Sequence, residues 1–148
     1  MFKKLIIHIT RGDNFYSISE EIHENKLGTY YFIFDEQSVR DCKNHALISS
    51  FDKVGIPLNK TYIDVESDDL VYFPISIGQL GLAVFHTFLK TNSKSDLERF
   101  LKFVDWFKNN AIIDKDIGAR WLTDVQLPAY NNLGPWQSAF SQSRAISI

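Results

Sequence analysis

The sequence predicts a mainly α fold with a small N-terminal β part and an incomplete (α/α) toroid-like helical domain. Three observations support this fold class. Segments typical of strands lie before residue 70, and two long helical segments follow it. The short polar link between those helices favours the side-by-side packing that recurs in α/α toroids. We therefore predict a β-rich segment at 1–70 and the first toroid helices at 71–148, with one compact unit as the alternative.

The composition is that of an ordinary folded protein of 148 residues, for which one domain is the default. The formal net charge is −2 and no stripe of Lys or Arg occurs, so we expect no nucleic acid partner. No segment approaches the ~20 apolar residues of a membrane span. The apolar part of residues 2–9 is too short for a signal peptide, and the single Cys42 suits a reducing compartment. These features predict a cytoplasmic protein.

The predicted β part contains several short strands. Residues 1–10 alternate enough to form a first strand, and residues 29–34 are β-branched or aromatic throughout, which is the strongest strand signal in the chain. Residues 51–57 predict a turn that leads into an extended segment, and residues 61–65 predict a further short strand.

Two helices are predicted in the second half. The first begins at Pro74 and is apolar on more than one side, which predicts burial of two faces. Ser95 and Glu98 have the spacing of a capping box and predict the start of the second helix. We expect the two helices to pack antiparallel. The connection at 109–135 is long enough to be functional or to contain short strands of its own.

A third helix is predicted to start near Pro135, because proline suits the first turn of a helix. Trp136, Phe140 and Ser143 fall at helical spacing and Ile146 continues the apolar side, but no recognisable stop signal follows. Such a helix exposes apolar surface unless further chain or a partner covers it. We therefore expect this sequence to belong to a longer architecture.

Three segments carry motifs of one enzyme family. YFPISIGQLGLA at 72–83 is similar to the motif Tyr-x-Pro-x-x-Ile-Ala-Gln-Tyr-x-Leu, and FLKFVDWFKNN at 100–110, followed by Trp121, resembles a helix ending in Asp-Trp-Leu and a later Gly-Gly-Trp-Pro. WQSAFSQSRAIS at 136–147 is similar to Trp-Tyr-Ser-Ala-Met-Ala-Gln-Gly-Gln-Ala-Ile-Ser, the most specific of the three. Together, within 50–148, they resemble the C-terminal domain of the D-glucuronyl C5-epimerases, which convert glucuronate to iduronate in heparosan-type polysaccharides.

The sequence departs from these motifs at several positions. Gln137 replaces a Tyr, Ser143 and Arg144 replace Gly-Gln, and Ala119 and Arg120 replace Gly-Gly. The family's catalytic segment, rich in Tyr and Glu, follows the last motif, and this sequence ends before it. The resemblance therefore implies an isomerase that is incomplete or inactive as this chain. The alternative is a non-catalytic carbohydrate-binding or self-associating module on the same scaffold.

The implied chemistry sets requirements on a site. C5 epimerisation removes the hydrogen next to a carboxylate, so cations must neutralise the developing dianion, and a base and an acid must face opposite sides of the sugar. No residue is assigned to proton transfer. Packing and surface ion pairs are the ordinary explanations of each polar or aromatic residue near the motifs, and a carboxylate-binding arginine or a sugar-stacking Trp are the functional ones. The candidate substrate-binding residues are Tyr72, Gln79, Arg120, Tyr130, Trp136, Gln142 and Arg144.

The resemblance implies an acidic, uronic acid-containing polysaccharide as the partner, and open helical faces suggest a homo-oligomer that covers them. We predict no cofactor and no metal site. Asp64, Glu66, Asp68 and Asp69 lie close together but lack the Gly and the final Glu of a calcium loop, so they indicate a solvated turn. His86 lies among apolar residues of the first long helix and is predicted to be a core histidine.

Overall fold

The chain folds into a mixed α/β structure with four α-helices and three small antiparallel sheets among the residues that the structure describes. The prediction of a mainly α, toroid-like fold is therefore wrong. Strands are not confined to the first 70 residues, because a two-stranded sheet also follows the long helices. The computed structural model describes residues 16–19, 28, 32–41, 48–62, 65 and 67–148.

In the described part of the chain, five short strands and one short helix precede the long helices. They are β1 (Tyr16–Ile18), β2 (Phe32–Phe34), α1 (Glu36–Asp41), β3 (Ser50–Phe51), β4 (Pro57–Lys60) and β5 (Leu70–Val71). β1 pairs with β2, and β4 lies between β3 and β5, all antiparallel. The strand predicted at 29–34 is confirmed over its described part, and the turn predicted at 51–57 joins β3 to β4. The described part of the strand predicted at 61–65 (residues 61, 62 and 65) is not in a strand, because β4 ends at Lys60.

The first long helix, α2 (Pro74–Thr91), is the centre of the structure. Pro74 occupies the first helical turn, where its missing N–H costs nothing, and the helix ends at Asn92, which adopts the left-handed conformation with φ 50°. Every residue from Leu80 to His86 is buried. Because seven consecutive residues cover about two turns, the helix is buried all round in this part, which confirms the prediction of burial on more than one face.

The second long helix, α3 (Lys94–Asn110), begins two residues earlier than predicted. Its N-cap is Ser93, whose carbonyl accepts from the backbone N–H of Asp96 and Leu97. A capping box at Ser95 and Glu98 is therefore not formed, and the Ser95 hydroxyl lies 2.9 Å from that of Ser93. The link between the two helices is so short that the turn at Asn92 itself determines where α3 can start.

The two long helices pack antiparallel, as predicted. The rings of Phe85 and Phe100 lie 4.9 Å apart, and Gly81 lies against Phe103. Residue numbers therefore decrease along α2 in the direction in which they increase along α3, as in any antiparallel pair. The hydrophobic core around this contact also includes Phe34 and Ile56 from the N-terminal part of the chain, so both parts of the predicted division contribute to one core.

The connection after α3 contains short elements, as predicted. β6 (Ile112–Asp114) and β7 (Gly118–Arg120) form an antiparallel hairpin, and a single 3₁₀ turn covers Pro128–Tyr130. The last helix, α4 (Ala139–Ser147), starts at the N-cap Ser138 rather than at Pro135. Pro135 follows a cis peptide bond, and the next residue, Trp136, forms a β-bridge with Thr123. This bridge keeps the backbone extended beyond Pro135, so the predicted helix start is wrong.

Several predictions fall outside the described residues. These are the strand at 1–10, the first part of the strand at 29–34, the position of Cys42, and the acidic side chains of Asp64 and Glu66.

Candidate functional site

The first and third epimerase-like segments meet where α2 contacts α4. A Cβ added to Gly78 would stand 2.4 Å from Cβ of Arg144. A Cβ added to Gly81 would stand 2.3 Å from Cδ1 of Ile148 and 3.0 Å from Cβ of Phe103. Because glycine has no side chain, the backbone of α2 can approach both neighbouring helices this closely. The two glycines therefore allow the close packing of three helices.

The second and third segments are joined by hydrogen bonds. The side chain of Gln142 on α4 binds the backbone of Trp121 twice: Nε2 donates to the Trp121 carbonyl at 2.6 Å, and Oε1 accepts from the Trp121 N–H at 3.0 Å. The indole Nε1 of Trp121 donates to the carbonyl of Phe107 at 2.7 Å, and the two rings meet edge to face. Gln142, a predicted ligand contact, is thus engaged in holding the chain after β7.

Arg144 is buried, with only 7% of its surface exposed. Its guanidinium lies 5.5 Å from the ring centre of Phe32 and 5.3 Å from that of Phe34, at cation–π distance. Arg144, a candidate for binding a sugar carboxylate, is thus buried between α4 and β2 and does not lie at the surface. Its position follows from the close contact with Gly78, which directs the side chain inward.

Tyr72, just before α2, forms a dyad with Asp52. Its hydroxyl donates to Oδ2 of Asp52 at 2.9 Å, and its ring lies 5.6 Å from that of Trp106. This hydrogen bond, followed by burial and the negative charge of Asp52, raises the pKa of Tyr72. Burial alone would raise the pKa of Asp52, but hydrogen bonds from the Ile56 N–H and the Tyr72 hydroxyl outweigh it and lower that pKa. At neutral pH the dyad is therefore a phenol beside a carboxylate.

The other four candidate residues are dispersed. Gln79 is half-buried on α2, and Tyr130 is 81% exposed in the 3₁₀ turn. Trp136 is half-buried, with its indole Nε1 donating to the carbonyl of Val125 at 2.9 Å. Arg120 ends β7, and its buried Nε has no hydrogen-bond partner among the described residues. The structure therefore does not gather the seven predicted residues into one site.

A cleft of about 390 Å³ opens at the C-terminal end of α2, and we call it the cationic cleft. It carries three cationic and two acidic side chains together with polar and aromatic ones. α1, α2 and α3 all contribute to it, and Phe34 of β2 completes it. The lining residues are Phe34, Asp35, Glu36, Gln37, Arg40, Thr87, Lys90 and Arg99.

Glu36 is the centre of an ion-pair network in this cleft. Its Oε1 accepts from Arg40 Nε at 2.7 Å and from Arg99, and its Oε2 accepts from the hydroxyl of Thr87 at 2.9 Å. Arg99 also donates to Asp96 at 2.8 Å. Since Glu36 lies on α1, Thr87 on α2 and Arg99 on α3, one carboxylate ties three helices together.

His86 lies beneath the cationic cleft and is fully buried, as predicted for a core histidine. The backbone N–H of Phe34 donates to its Nδ1 at 3.3 Å, which requires that nitrogen to be unprotonated. Burial, together with the positive charge of Lys90 one turn along α2, lowers the pKa of His86 to about 4. The imidazole is therefore neutral at physiological pH.

A second cleft, of about 470 Å³, lies between β5 and the segment after β7, and we call it the acidic cleft. Its charged side chains are Asp69 and Asp124, and the Ser67 hydroxyl donates to Asp69 at 2.7 Å. The lining residues are Thr61, Val65, Ser67, Asp69, Val71, Asp124, Val125 and Gln126. Two carboxylates without a cation in the lining disfavour an acidic sugar here.

None of the seven predicted residues lines either of these two clefts. The residues of the cationic cleft carry local signals in the sequence, since Glu36 and Arg40 are spaced four apart and Asp96 and Arg99 three apart, as in helical ion pairs. Those signals predict two separate surface pairs. Only the tertiary contact between Glu36 and Arg99 converts them into one site.

Within the described part of the chain, no three His, Cys, Asp or Glu side chains are grouped as metal ligands. None of the helices described there has the length and apolar character that a membrane crossing requires. Comparison of the chain with family models, curated proteins and solved structures found no match.

Proposed function

We propose that this chain belongs to a uronyl C5-epimerase system that acts on an acidic polysaccharide, converting glucuronate to iduronate by removing and returning the C5 proton. The proposal starts from the three motif-like segments at 72–83, 100–121 and 136–147. It concerns the chemistry and the polysaccharide, and it requires no toroid.

The observation that carries the proposal is that the motif-like residues contact one another. Gln142 of the third segment binds the backbone of Trp121 from the second, and Arg144 packs on Gly78 of the first. Gln142 and Trp121 are residues that the motifs share, whereas Arg144 replaces a Gln of the motif and contributes only a contact between the segments. Their mutual contacts support a common scaffold, within which these residues position the backbone.

The described residues also offer groups that the chemistry needs. An epimerase must hold a sugar carboxylate and stabilise the negative charge that develops beside it, for which cations in a partly enclosed site are suited. The cationic cleft provides three cations in one concave surface.

A second candidate function is binding of the same polysaccharide without catalysis. It is favoured by the engagement of Gln142 and Trp136 in internal hydrogen bonds and by the burial of Arg144. Groups used in this way build a scaffold and leave the chemistry to be supplied elsewhere. The two candidates share a substrate class and differ only in proton exchange.

The test is incubation of the protein with heparosan in deuterated water, followed by NMR of the polysaccharide. The epimerase proposal predicts deuterium at C5 of the uronate residues. Heparosan whose carboxyl groups have been reduced to alcohols is the control, and it should show no exchange because its C5 hydrogen is no longer adjacent to a carboxylate. Binding of heparosan without exchange supports the second candidate. The absence of both exchange and binding would contradict both candidate functions.

A further inference from the structure

We infer that the cationic cleft is the place where this protein binds the carboxylate of a uronate residue, with Lys90 and Arg40 as the contacting groups. The inference rests on the proposed function for its ligand, a uronic acid-containing polysaccharide. None of the residues that the motifs brought to attention takes part in it.

Some charges in the cleft are already used to hold the protein together. The carboxylate of Glu36 accepts from Arg40, Arg99 and Thr87 together, so it has little capacity left for a ligand. Arg99 divides its donors between Glu36 and Asp96. Both groups are therefore committed to joining the helices, and they position their neighbours.

Lys90 and Arg40 are the hydrogen-bond donors of the cationic cleft that remain for a ligand. Lys90 is exposed, lines the cleft, and has no carboxylate within ion-pair distance among the described residues. Arg40 donates to Glu36 through Nε, which leaves its two terminal nitrogens directed away from that bond. Arg40 is also held over the ring of Phe51, at 5.3 Å from its centre. A guanidinium fixed in this way and an unpaired ammonium form a suitable site for a carboxylate.

Carboxylates of the protein could compete with a ligand for Lys90 and Arg40. Hydrogen bonds from Ser38 are the main cause of the lowered pKa of Asp35, and the positive charge of Lys90 contributes to it. Oδ1 of Asp35, however, accepts the Ser38 N–H at 2.8 Å at the start of α1. A ligand carboxylate would therefore meet Lys90 and Arg40 beside two acidic groups, Asp35 and Glu36, both of which already accept hydrogen bonds within the protein. The acidic cleft, with Asp69 and Asp124, offers no such site.

The experiment is calorimetric titration with a heparosan tetrasaccharide and with the same tetrasaccharide after reduction of its carboxyl groups. We expect the native sugar to bind and the reduced sugar to bind at least about fivefold more weakly, since one charge-assisted contact is lost. Lys90→Gln and Arg40→Gln should each weaken binding of the native sugar by about five- to tenfold. Lys102→Gln is the matched control, because Lys102 is an exposed lysine of α3 outside the cleft, and it should change affinity by less than about twofold.

Two outcomes would overturn the inference. One is equal binding of native and reduced sugars, and the other is an equal loss on Lys90→Gln and Lys102→Gln, which would indicate diffuse attraction to the surface. Circular dichroism of each variant excludes misfolding as the cause. Carboxylate-dependent binding without C5 exchange would support the inference and count against the epimerase proposal. Exchange with affinity unaltered by Lys90→Gln would support the proposal and count against this site.

Discussion

The two ends of α2 are held in place by different physical means. At the N-terminal end, Gly78 brings the backbone against Arg144, and Tyr72 shares a neutral-to-anion hydrogen bond with Asp52. At the C-terminal end, His86 is buried and Glu36 collects donors from two other helices. The helix has 18 residues, so these ends lie roughly 27 Å apart. The N-terminal end therefore depends on close packing, and the C-terminal end depends on a buried neutral histidine and on ion pairs.

The helix dipole explains part of this difference. Lys90 lies in the last turn of α2, where backbone carbonyl groups favour positive charge, and no acidic residue lies in the first turn. A cation at the C-terminal end is therefore expected without any ligand. What the dipole does not require is a cleft lined both by a fixed guanidinium and by an ammonium that has no ion-pair partner among the described residues. Functional residues are thus better sought among unused donors than among charged residues in general.

Acid should act mainly on the C-terminal end, and this is the largest effect that we expect. The pKa of His86 falls from an ordinary 6.5 to about 4 in the folded protein, so the unfolded chain binds the extra proton first as pH falls. The contribution of neutral His86 to the free energy of unfolding is complete above pH 6.5. It decreases by about 3 kcal/mol as the pH decreases from 6.5 toward 4. Urea unfolding across this range measures the loss. His86→Gln retains an acceptor for the Phe34 N–H and does not titrate, so its pH dependence should be flatter. Identical slopes would contradict this assignment.

Added volume should act mainly on the N-terminal half of α2. Gly78→Ala forces a Cβ against Cβ of Arg144, and relieving the contact requires a shift of α4. We expect a net loss of about 1–2 kcal/mol in the free energy of unfolding, after the helix-propensity gain of alanine is counted. Gly81→Ala is the companion variant. Its nearest contact is the flexible end of Ile148, so we expect a smaller loss. A larger loss at Gly81 would show that Phe103, and not α4, limits the packing.

Removing the charge of Glu36 should weaken the C-terminal end more modestly. Glu36→Gln keeps an acceptor for Arg40 but loses the charge that pairs with Arg99, whose side chain is 37% exposed and partly screened by water. We expect a loss of about 1 kcal/mol, measured by urea unfolding at low salt. Glu98→Gln breaks the exposed 3.8 Å pair with Lys94 and should have no measurable effect. Equal losses would mean that Glu36 contributes only general surface charge.

The smallest effect is expected at the Tyr72–Asp52 dyad. Tyr72→Phe removes an exposed hydrogen bond, so we expect stability to change by about 0.5 kcal/mol or less. The pKa of Asp52 should rise toward its ordinary value, because one of the hydrogen bonds that lowers it is gone. Carbon-detected NMR titration of the carboxyl group measures this shift. Tyr62→Phe removes a hydroxyl whose pKa is raised by burial, and it should leave Asp52 unchanged.

The sequence predicts local structure around α2 well because local chemistry determines it. Pro74 can open a helix but not continue one, and the apolar run to His86 has no polar face to leave in water. The start of α4 is different, since Pro135 suits a helix start as well as the extended segment that it occupies. The bridge between Trp136 and Thr123 decides between these states, and such a bridge is not encoded in local spacing. The toroid prediction was wrong for the same reason, as the hairpin of β6 and β7 depends on pairing.

The candidate site was harder to predict than the fold. Gln142 and Arg144 stand at motif positions, yet both serve the interior of the protein. Lys90, Arg40 and Glu36 belong to no motif, and they are separated by up to 54 positions in the chain. Gln142 is engaged with the backbone and Arg144 is buried, whereas Lys90 is exposed, and a motif similarity contains no information about which side of a helix faces water.

The pairing of Gln142 with Trp121 has a consequence for which mutations the protein can accept. A side-chain amide presents one donor and one acceptor side by side, as a peptide group does. Gln142 of α4 therefore makes a strand-like pair of hydrogen bonds with the extended chain, although α4 is not a strand. These bonds involve only the backbone N–H and carbonyl of residue 121, which every residue except proline has. The hydrogen bonds with Gln142 therefore do not restrict which side chain stands at position 121, where only packing does. They do restrict the side chain at position 142. Glutamate would lack the donor and asparagine would be one methylene too short. Sequence variation across this contact should accordingly be one-sided.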